Sequence, residues 1–194
     1  MRPNSNLNSF NGYKKLSGFT VVELVMVIAL LGVLAAMALP RFLDVADKAE
    51  LSAVETTAGA YQTAVTQVRL AWELEGAGRR VQNLSRFGNG LVDTNDSGFP
   101  IGMDKGTGNE NIGRQRKGCT ELWDGLLQSP PSVSLTANAD FQAYRHTDNK
   151  MCSYVYRKSG DQRRYPTAAL VIQYDSRDGA VTVCGSRSDI PACS

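Results

Sequence analysis

Residues 19–39 read FTVVELVMVIALLGVLAAMAL, an apolar run in which Glu23 is the only charged residue. Because an α-helix rises about 1.5 Å per residue, a helix of this length spans roughly 30 Å, the thickness of a bilayer core. Lys14 and Lys15 stand just before the run. The positive-inside rule therefore places the N-terminus in the cytoplasm and the residues after about 40 across the membrane.

Two ordinary interpretations of this run explain it incompletely. A cleaved secretory signal could use the small residues Ala36 and Ala38 as its cleavage site, but the apolar core of such a signal is about 7–15 residues long and this run is longer. A plain signal anchor would leave Glu23 without a role, although charges inside membrane spans are costly and usually have a partner. A third interpretation accounts for the charge.

The residues GFTVVEL, from Gly18 to Leu24, resemble the processing site of type IV prepilins and of the pseudopilins of type II secretion. This resemblance implies that a membrane peptidase removes residues 1–18 as a leader, cleaving between Gly18 and Phe19, and methylates the new N-terminal Phe19. Glu23 matches the glutamate at the family's fifth mature position, and Pro40 matches its proline at position 22.

The resemblance implies an assembly role for Phe19, Glu23 and Pro40. A carboxylate in a low-dielectric environment needs a cation or a proton. The freed amine of Phe19 on a neighbouring copy is the obvious partner for Glu23. We therefore expect this pair to set the axial register as a subunit enters a filament.

The residues after Pro40 continue the helix with a different character. Proline lacks an amide donor, so the helix should kink or melt locally there. Apolar or small residues then recur three and four apart, the spacing of an amphipathic helix. These residues are Leu51, Val54, Ala58, Tyr61, Val65, Val68 and Trp72. We predict one helix from Phe19 to about Glu75, ended by Gly76 and Gly78.

The segment PRFLDVADKAELSAVETTAGAYQTAVTQVRLAWELEG, residues 40–76, is similar to pilins of the mannose-sensitive haemagglutinin (MSHA) group, and the similarity extends more weakly to CTELWDGLLQSPP, residues 119–131. The fold implied is α+β: a long N-terminal helix, membrane-spanning in its first half, on a small antiparallel sheet. The expected organisation is a leader (1–18), a transmembrane and assembly helix (19–40), its amphipathic continuation (41–76) and a globular head (77–194).

Within the head, residues 77–118 are rich in Gly, Asn, Asp and Arg and are predicted to form a long irregular connection. A short helix is expected at 121–128, before two prolines. Strands are expected at 151–157, 168–174 and 180–184, the last two joined by the hairpin signal DSRDG. An antiparallel sheet of three or four strands follows.

Four cysteines in an exported domain indicate disulfides. Of the three possible pairings we favour Cys119–Cys152 together with Cys184–Cys193, with free buried thiols as the alternative. No CxxC pair is present, and the lone His146 is not placed to complete a zinc site.

One loop has the D-x-N-x-S-G spacing of a calcium loop. Its candidate ligands are Asp93, Asn95 and, further on, Asp104. Because Pro100 lies inside the loop and no helices flank it, a solvated turn is the preferred interpretation. No other cofactor is expected.

No catalytic constellation is recognisable, so the chain is predicted to be a substrate of enzymes rather than an enzyme. His146 lies in a polar segment and is expected at the surface. The net charge of +2 falls close to neutral without residues 1–18, which leaves 18 Lys and Arg against 19 Asp and Glu, so nucleic acid is not an expected partner. A contact surface or solvated loops explain five residues equally well: Tyr144, Arg145, Arg157, Arg163 and Arg164.

The expected function is that of a major or minor subunit of an MSHA-type type IV pilus, used for surface attachment. The alternatives are a pseudopilin of a type II secretion system and a membrane-anchored binding domain that never polymerises. The expected partners are the prepilin peptidase, other pilin subunits, the inner-membrane assembly machinery and the membrane itself. The chain is expected to cross the inner membrane once, with its head in the periplasm, before it joins an extracellular pilus.

Overall fold

A computed structural model describes residues 18–76, 78–106 and 108–194, and within helix α1 it leaves the side chains of Pro40, Leu43 and Asp44 undescribed. The predicted leader therefore lies outside the described residues, apart from Gly18. The chain divides into two compact units, Met1–Val45 and Ala46–Ser194. The helices are α1 (Val21–Leu74) and α2 (Gly118–Leu126), and the strands are β1 (Val92–Thr94), β2 (Pro100–Met103), β3 (Val133–Ser134), β4 (Phe141–Arg145), β5 (Met151–Tyr156), β6 (Val171–Asp175) and β7 (Val181–Cys184).

Helix α1 confirms the predicted long N-terminal helix, and it begins two residues later than expected, at Val21. It continues through Pro40, so the expected local melting does not occur there. Gly76, which follows the helix, has a φ of +64°, the left-handed conformation that glycine supplies at a helix end.

In the second unit, the amphipathic stripe of α1 is confirmed. Leu51 is half-buried, and the other six predicted positions, from Val54 to Trp72, are buried in the core. The stripe packs with α2 and the sheet around a cluster of aromatic rings, in which Tyr61 lies 5.8 Å from Trp123 and 5.5 Å from Tyr174 between ring centroids.

The main sheet has the order β3-β4-β5-β6-β7, one strand more than the upper limit predicted. Strands β4 to β7 pair antiparallel, and the two-residue strand β3 pairs parallel to β4. All three predicted strands are present. Strands β3 and β4 were not predicted, because a two-residue strand has no measurable period and β4, FQAYR, buries only Phe141 and Ala143.

The prediction of an irregular connection over residues 77–118 is wrong in part. Strands β1 and β2 form an antiparallel two-stranded sheet within it. Helix α2 also begins three residues earlier than predicted, at Gly118, where a Cβ atom would lie 2.6 Å from the Cα of Gly113. A glycine therefore starts this helix because of a close backbone approach rather than a capping side chain.

Two disulfides join Cys119 to Cys152 and Cys184 to Cys193, the pairs that the sequence favoured. The first links α2 to β5, and the second links β7 to the C-terminal segment. The two disulfides therefore cross-link the head both at its centre and at its C-terminal end.

Candidate functional site in the N-terminal segment

The first turn of α1 is organised by a reciprocal pair of side chains. The amide of Thr20 and its hydroxyl both donate to Oε2 of Glu23, each at 2.9 Å, and the amide of Glu23 donates to Oγ1 of Thr20 at 3.2 Å. This is a capping box, in which the N-cap and N3 side chains satisfy each other's backbone amides at a helix start. Glu23 therefore has a structural role within its own chain.

Thr20 is the residue that the sequence reasoning missed at this site. The signal was present, because T-x-x-E just before an apolar run is the sequence pattern of a capping box. An interpretation of Glu23 by its charge alone leaves this pattern out. The same pattern explains why the helix begins at Val21 and not at Phe19.

Gly18 and Phe19 precede the helix and are not part of any regular element. The Phe19 side chain is 91% exposed, and Gly18 is also exposed. The peptide bond between them thus lies in accessible, non-helical backbone, the kind of segment in which proteolysis concentrates. A peptidase could reach this bond without unwinding α1.

The apolar side chains that follow cover the whole circumference of the helix. Residues 21–39 are long and apolar enough to cross a membrane, with a mean hydropathy of 2.7 and no part of the segment buried within the protein. Nearly every large apolar side chain here is at least half exposed. A helix that is apolar on every side requires a lipid or protein environment around it.

The four residues expected at this site, Gly18, Phe19, Glu23 and Pro40, do not form one cluster. Phe19 and Glu23 lie at the same end of the segment, whereas Pro40 is 17 residues beyond Glu23, about 25 Å along a helix. Pro40 therefore lies at a separate level of the helix.

The loop proposed for calcium uses its polar side chains to hold the backbone. Oδ1 and Oδ2 of Asp93 accept the amides of Asn83 and Lys105 at 2.9 and 2.6 Å. Oδ1 of Asn95 accepts the amides of Ser97 and Phe99. Within the described ranges, no group of three or more His, Cys, Asp or Glu residues is arranged to hold a metal ion. The geometry favours a structural turn, and calcium binding stays the less favoured alternative.

Asp93 is nearly fully buried inside this loop. Burial raises the pKa of its carboxyl, and the two amide hydrogen bonds together with the positive charge of Lys105 oppose that rise. Both oxygens are thus engaged by the fold.

His146 is not the simple surface residue that was expected. Its side chain is half-buried, Nε2 lies 2.8 Å from Oγ of Ser153, and its ring lies 4.6 Å from that of Tyr165. Burial lowers the pKa of His146. Ser153 is completely buried, so its hydroxyl is not exposed to solvent, and its contact with His146 contributes to packing.

Comparison with known proteins matches the same end of the chain. Residues 13–39 match the family described as the prokaryotic N-terminal methylation motif. The chain is 47% identical over 47 residues to the type IV narrow pilus major component PilA5 of Thermus thermophilus, 44% identical over 54 residues to the fimbrial protein EcpB of Eikenella corrodens, and 43% identical over 53 residues to the type IV major pilin protein PilE1 of Neisseria gonorrhoeae.

These similarities are confined to a part of each protein. They cover 24%, 28% and 27% of this chain, and 40%, 34% and 32% of the relatives' own lengths. The chain thus spans well under half the length of the curated relatives that it matches. No solved structure matches the chain significantly.

Proposed function

Because its N-terminal segment shows that this chain belongs to the type IV pilin family, we propose that it is a structural subunit of a type IV pilus, assembled through α1. The observation that carries the proposal is the arrangement of Glu23 at the start of a fully exposed apolar helix. A helix of this kind is costly in water and is satisfied first by a membrane and then by the helices of other subunits.

Glu23 has one carboxylate oxygen available for assembly. Both hydrogen bonds that the Glu23 carboxylate accepts in the capping box use Oε2, and within the described part of the chain Oε1 has no donor and no cation lies within 4 Å of the carboxylate. The amine of Phe19 on another copy supplies a donor and a positive charge for this oxygen. A buried carboxylate paired with a cation is far less costly than an unpaired one, so the pair sets the axial register.

Processing creates that amine. The prepilin peptidase cleaves after Gly18 and methylates Phe19, leaving Thr20 and Glu23 in place as the cap of α1. Before assembly, residues 19–40 span the inner membrane once, with the head in the periplasm. The assembly machinery in that membrane then moves the subunit into an extracellular filament.

The head, residues 77–194, and the amphipathic segment 41–76 form the outer part of the subunit in this proposal. The two disulfides are consistent with an oxidising compartment. The similarity of residues 40–76 to MSHA pilins supports a pilus of that type, used for attachment to surfaces. The curated relatives are named as pilus and fimbrial proteins, which supports assembly into a filament. A type II secretion pseudopilus is the alternative within the same family.

The test is a comparison of three versions of the chain in cells that assemble pili. Glu23→Gln keeps the side-chain length and one accepting oxygen, which is enough for the capping box, but removes the charge, and Glu55→Gln is the control, an exposed acid further along α1. We expect the Glu55 variant to enter sheared fibres at the native level and the Glu23 variant to enter at under a tenth of that level, although it still reaches the membrane.

Immunogold labelling of sheared fibres and N-terminal sequencing of the purified protein make the measurement. A mature chain that begins at Phe19 and labels pili supports the proposal. Labelling of short periplasmic fibres alone indicates a pseudopilin. A chain that stays in the membrane as a monomer, or whose Glu23→Gln variant assembles normally, contradicts the assembly role.

A further inference from the structure

A cleft on the head is lined by four arginines and, among the residues that the structure describes, by no acidic one. Its volume is about 620 Å³, and Arg116, Arg145, Arg157 and Arg164 all lie along it. Gln142, Tyr144 and Thr147 supply further polar groups, while Leu135 and Ala137 supply an apolar wall. From the sequence alone, a contact surface and solvated loops explain Tyr144, Arg145, Arg157, Arg163 and Arg164 equally well. The fold places four of these five residues, all except Arg163, along the same cleft. It also places Arg116 there.

Arg157 is the centre of this cleft and is only 5% exposed. Its guanidinium donates to Oε1 of Gln142 from Nε and Nη2, at 3.0 and 2.6 Å, and to the Tyr144 hydroxyl at 3.1 Å. Nη1 donates to the carbonyls of Asp161 and Arg163, at 2.6 and 2.7 Å.

All of these acceptors are neutral. Nearly fully buried arginines are almost always paired with an acid, yet within the described residues no carboxylate lies within 4 Å of Arg157. Its hydrogen bonds are satisfied and its charge is not compensated. The guanidinium therefore makes the cleft positive and at the same time fixes Gln142 and Tyr144 in position.

The other three arginines have donors to spare. Arg145 is anchored by Nη1 to the carbonyl of Ile112 at 2.7 Å, and its Nε and Nη2 have no acceptor among the described residues. Arg116 and Arg164 are exposed, and in the same part of the chain neither side chain forms an ion pair or a hydrogen bond. Their guanidinium groups are free to move onto a ligand.

Neighbouring arginines behave differently. Arg163, adjacent to Arg164, pairs with Asp161 at 2.9 Å, and Arg177 pairs with Asp175 and with Asp148. Acids are thus available on the head and neutralise arginines outside the cleft. The cleft has no such acid.

We propose that this cleft binds an acidic saccharide, a sugar of one or two rings that carries a carboxylate or a sulfate group. Guanidinium forks match the geometry of these oxyanions. A volume of about 620 Å³ lies within the range of small-ligand sites. The amide of Gln142 and the hydroxyls of Tyr144 and Thr147 suit sugar hydroxyl groups, and Leu135 and Ala137 suit a sugar face.

A single-stranded nucleic acid fits less well, because such ligands need a positive track along several nucleotides with aromatic rings spaced for stacking. One tyrosine, Tyr144, lines this cleft. The site lies wholly within residues 116–164, so the proposal stands whether or not the chain polymerises.

Isothermal titration calorimetry on the full mature chain in detergent tests the proposal. The probes are a sulfated heparin disaccharide, digalacturonate, the neutral disaccharide lactose, inorganic phosphate and a ten-nucleotide oligothymidylate. We expect at least one acidic disaccharide to bind at least tenfold more tightly than phosphate or the oligonucleotide, and lactose not to bind.

The matched variants are Arg116→Gln and Arg164→Gln in the cleft and Arg177→Gln outside it. Each cleft variant should weaken binding on the order of tenfold, the loss of one charge-assisted hydrogen bond, and the Arg177 variant should bind normally. These side chains make no contact that the fold needs, so circular dichroism of the cleft variants should be unchanged.

Three results overturn the proposal. They are the absence of binding by both acidic disaccharides, tighter binding of phosphate or oligothymidylate, and binding that survives both cleft substitutions. Pilus assembly of the same cleft variants is scored separately by immunogold labelling. A failure of the saccharide site is thereby distinguished from a failure of assembly.

Discussion

Several carboxylates in this protein accept backbone amides at turns or at a helix start. Glu23 caps α1, Asp93 joins two loop amides, and Oδ2 of Asp140 accepts the amide of Ser132. Asp161 does the most, since it accepts the amides of Arg163 and Ala169 as well as the Arg163 guanidinium. Because its backbone carbonyl also accepts Arg157, this residue fixes one wall of the arginine cleft.

Asp161 makes a pH-dependent contribution to stability. Burial raises the pKa of its carboxyl, but the hydrogen bonds from Arg163 and Ala169 outweigh burial and bring the pKa to about 2, against an ordinary value of 3.8. A lowered folded-state pKa stabilises the protein above pH 3.8, and the contribution is lost as the pH falls through about 2.

We therefore expect Asp161→Asn to lower the free energy of unfolding at pH 7 by about 1 to 2 kcal/mol, after allowance for solvent screening at the half-exposed Arg163. The difference from the native protein should shrink towards zero near pH 2. Urea unfolding, followed by tryptophan fluorescence that includes the buried Trp123, measures the difference in unfolding free energy at pH 7 and its decrease towards pH 2. Glu121→Gln, at an exposed acid, is the control, and a difference that is independent of pH would contradict this account.

At the scale of elements, the sequence predicts whatever is periodic or marked by a local signal. The positions from Val54 to Trp72 could be assigned because a helix buries one side at a fixed spacing, and strands β5 to β7 because their apolar residues are bounded by turns. Strand β3 and the β1–β2 pair could not be assigned, since strands of two to four residues are too short to show an alternating period.

The same limit applies to the sites. The T-x-x-E cap was readable from four consecutive residues, whereas the arginine cleft needed the fold. Arg157 meets the carbonyls of Asp161 and Arg163 only because the chain turns back after β5. Arg116 lies about 40 residues earlier and reaches the cleft by tertiary packing alone.

The two disulfides should differ in their contribution to stability. Cys119–Cys152 has a sequence separation of 33 and both cysteines are completely buried, whereas Cys184–Cys193 has a separation of 9. Loop-closure entropy gives about 4 kcal/mol for the first and about 3 kcal/mol for the second. The packing of α2 against β5 adds a further loss for the first.

Double Cys→Ala variants of each pair, unfolded in urea in detergent, provide the measurement. We expect the Cys119/Cys152 variant to be destabilised more, by at least 1 kcal/mol, and the Cys184/Cys193 variant to retain the native fluorescence of Trp123 before unfolding. Equal losses, or a larger loss at the C-terminal pair, would show that the longer loop and its buried surroundings are not what determines the difference.

At the scale of the whole molecule, apolar surface and apolar core belong to different units. In the first unit the large apolar side chains that the structure describes are exposed, including Phe42 at 72% and Val45 at 64%, whereas the earliest core residue of the second unit is Val54, with Leu51 packed beside it. The second unit therefore contains the complete aromatic core, both disulfides and the arginine cleft. The first unit carries the surface that needs lipid or other subunits.

This separation predicts that a chain beginning at Ala46 folds without its first unit. Exported to the periplasm behind a cleavable signal, it should form both disulfides and remain monomeric in the absence of detergent, because residues 46–50 bury no core side chain and the exposed apolar run of residues 21–39 is gone. The full mature chain should need detergent under the same conditions. Light scattering after size-exclusion chromatography, with non-reduced peptide mass spectrometry, makes the comparison. If the chain beginning at Ala46 aggregates or forms scrambled disulfides, the head depends on the first half of α1 for its fold. If the full mature chain is soluble and monomeric without detergent, its exposed apolar helix is covered by something other than lipid or a second copy.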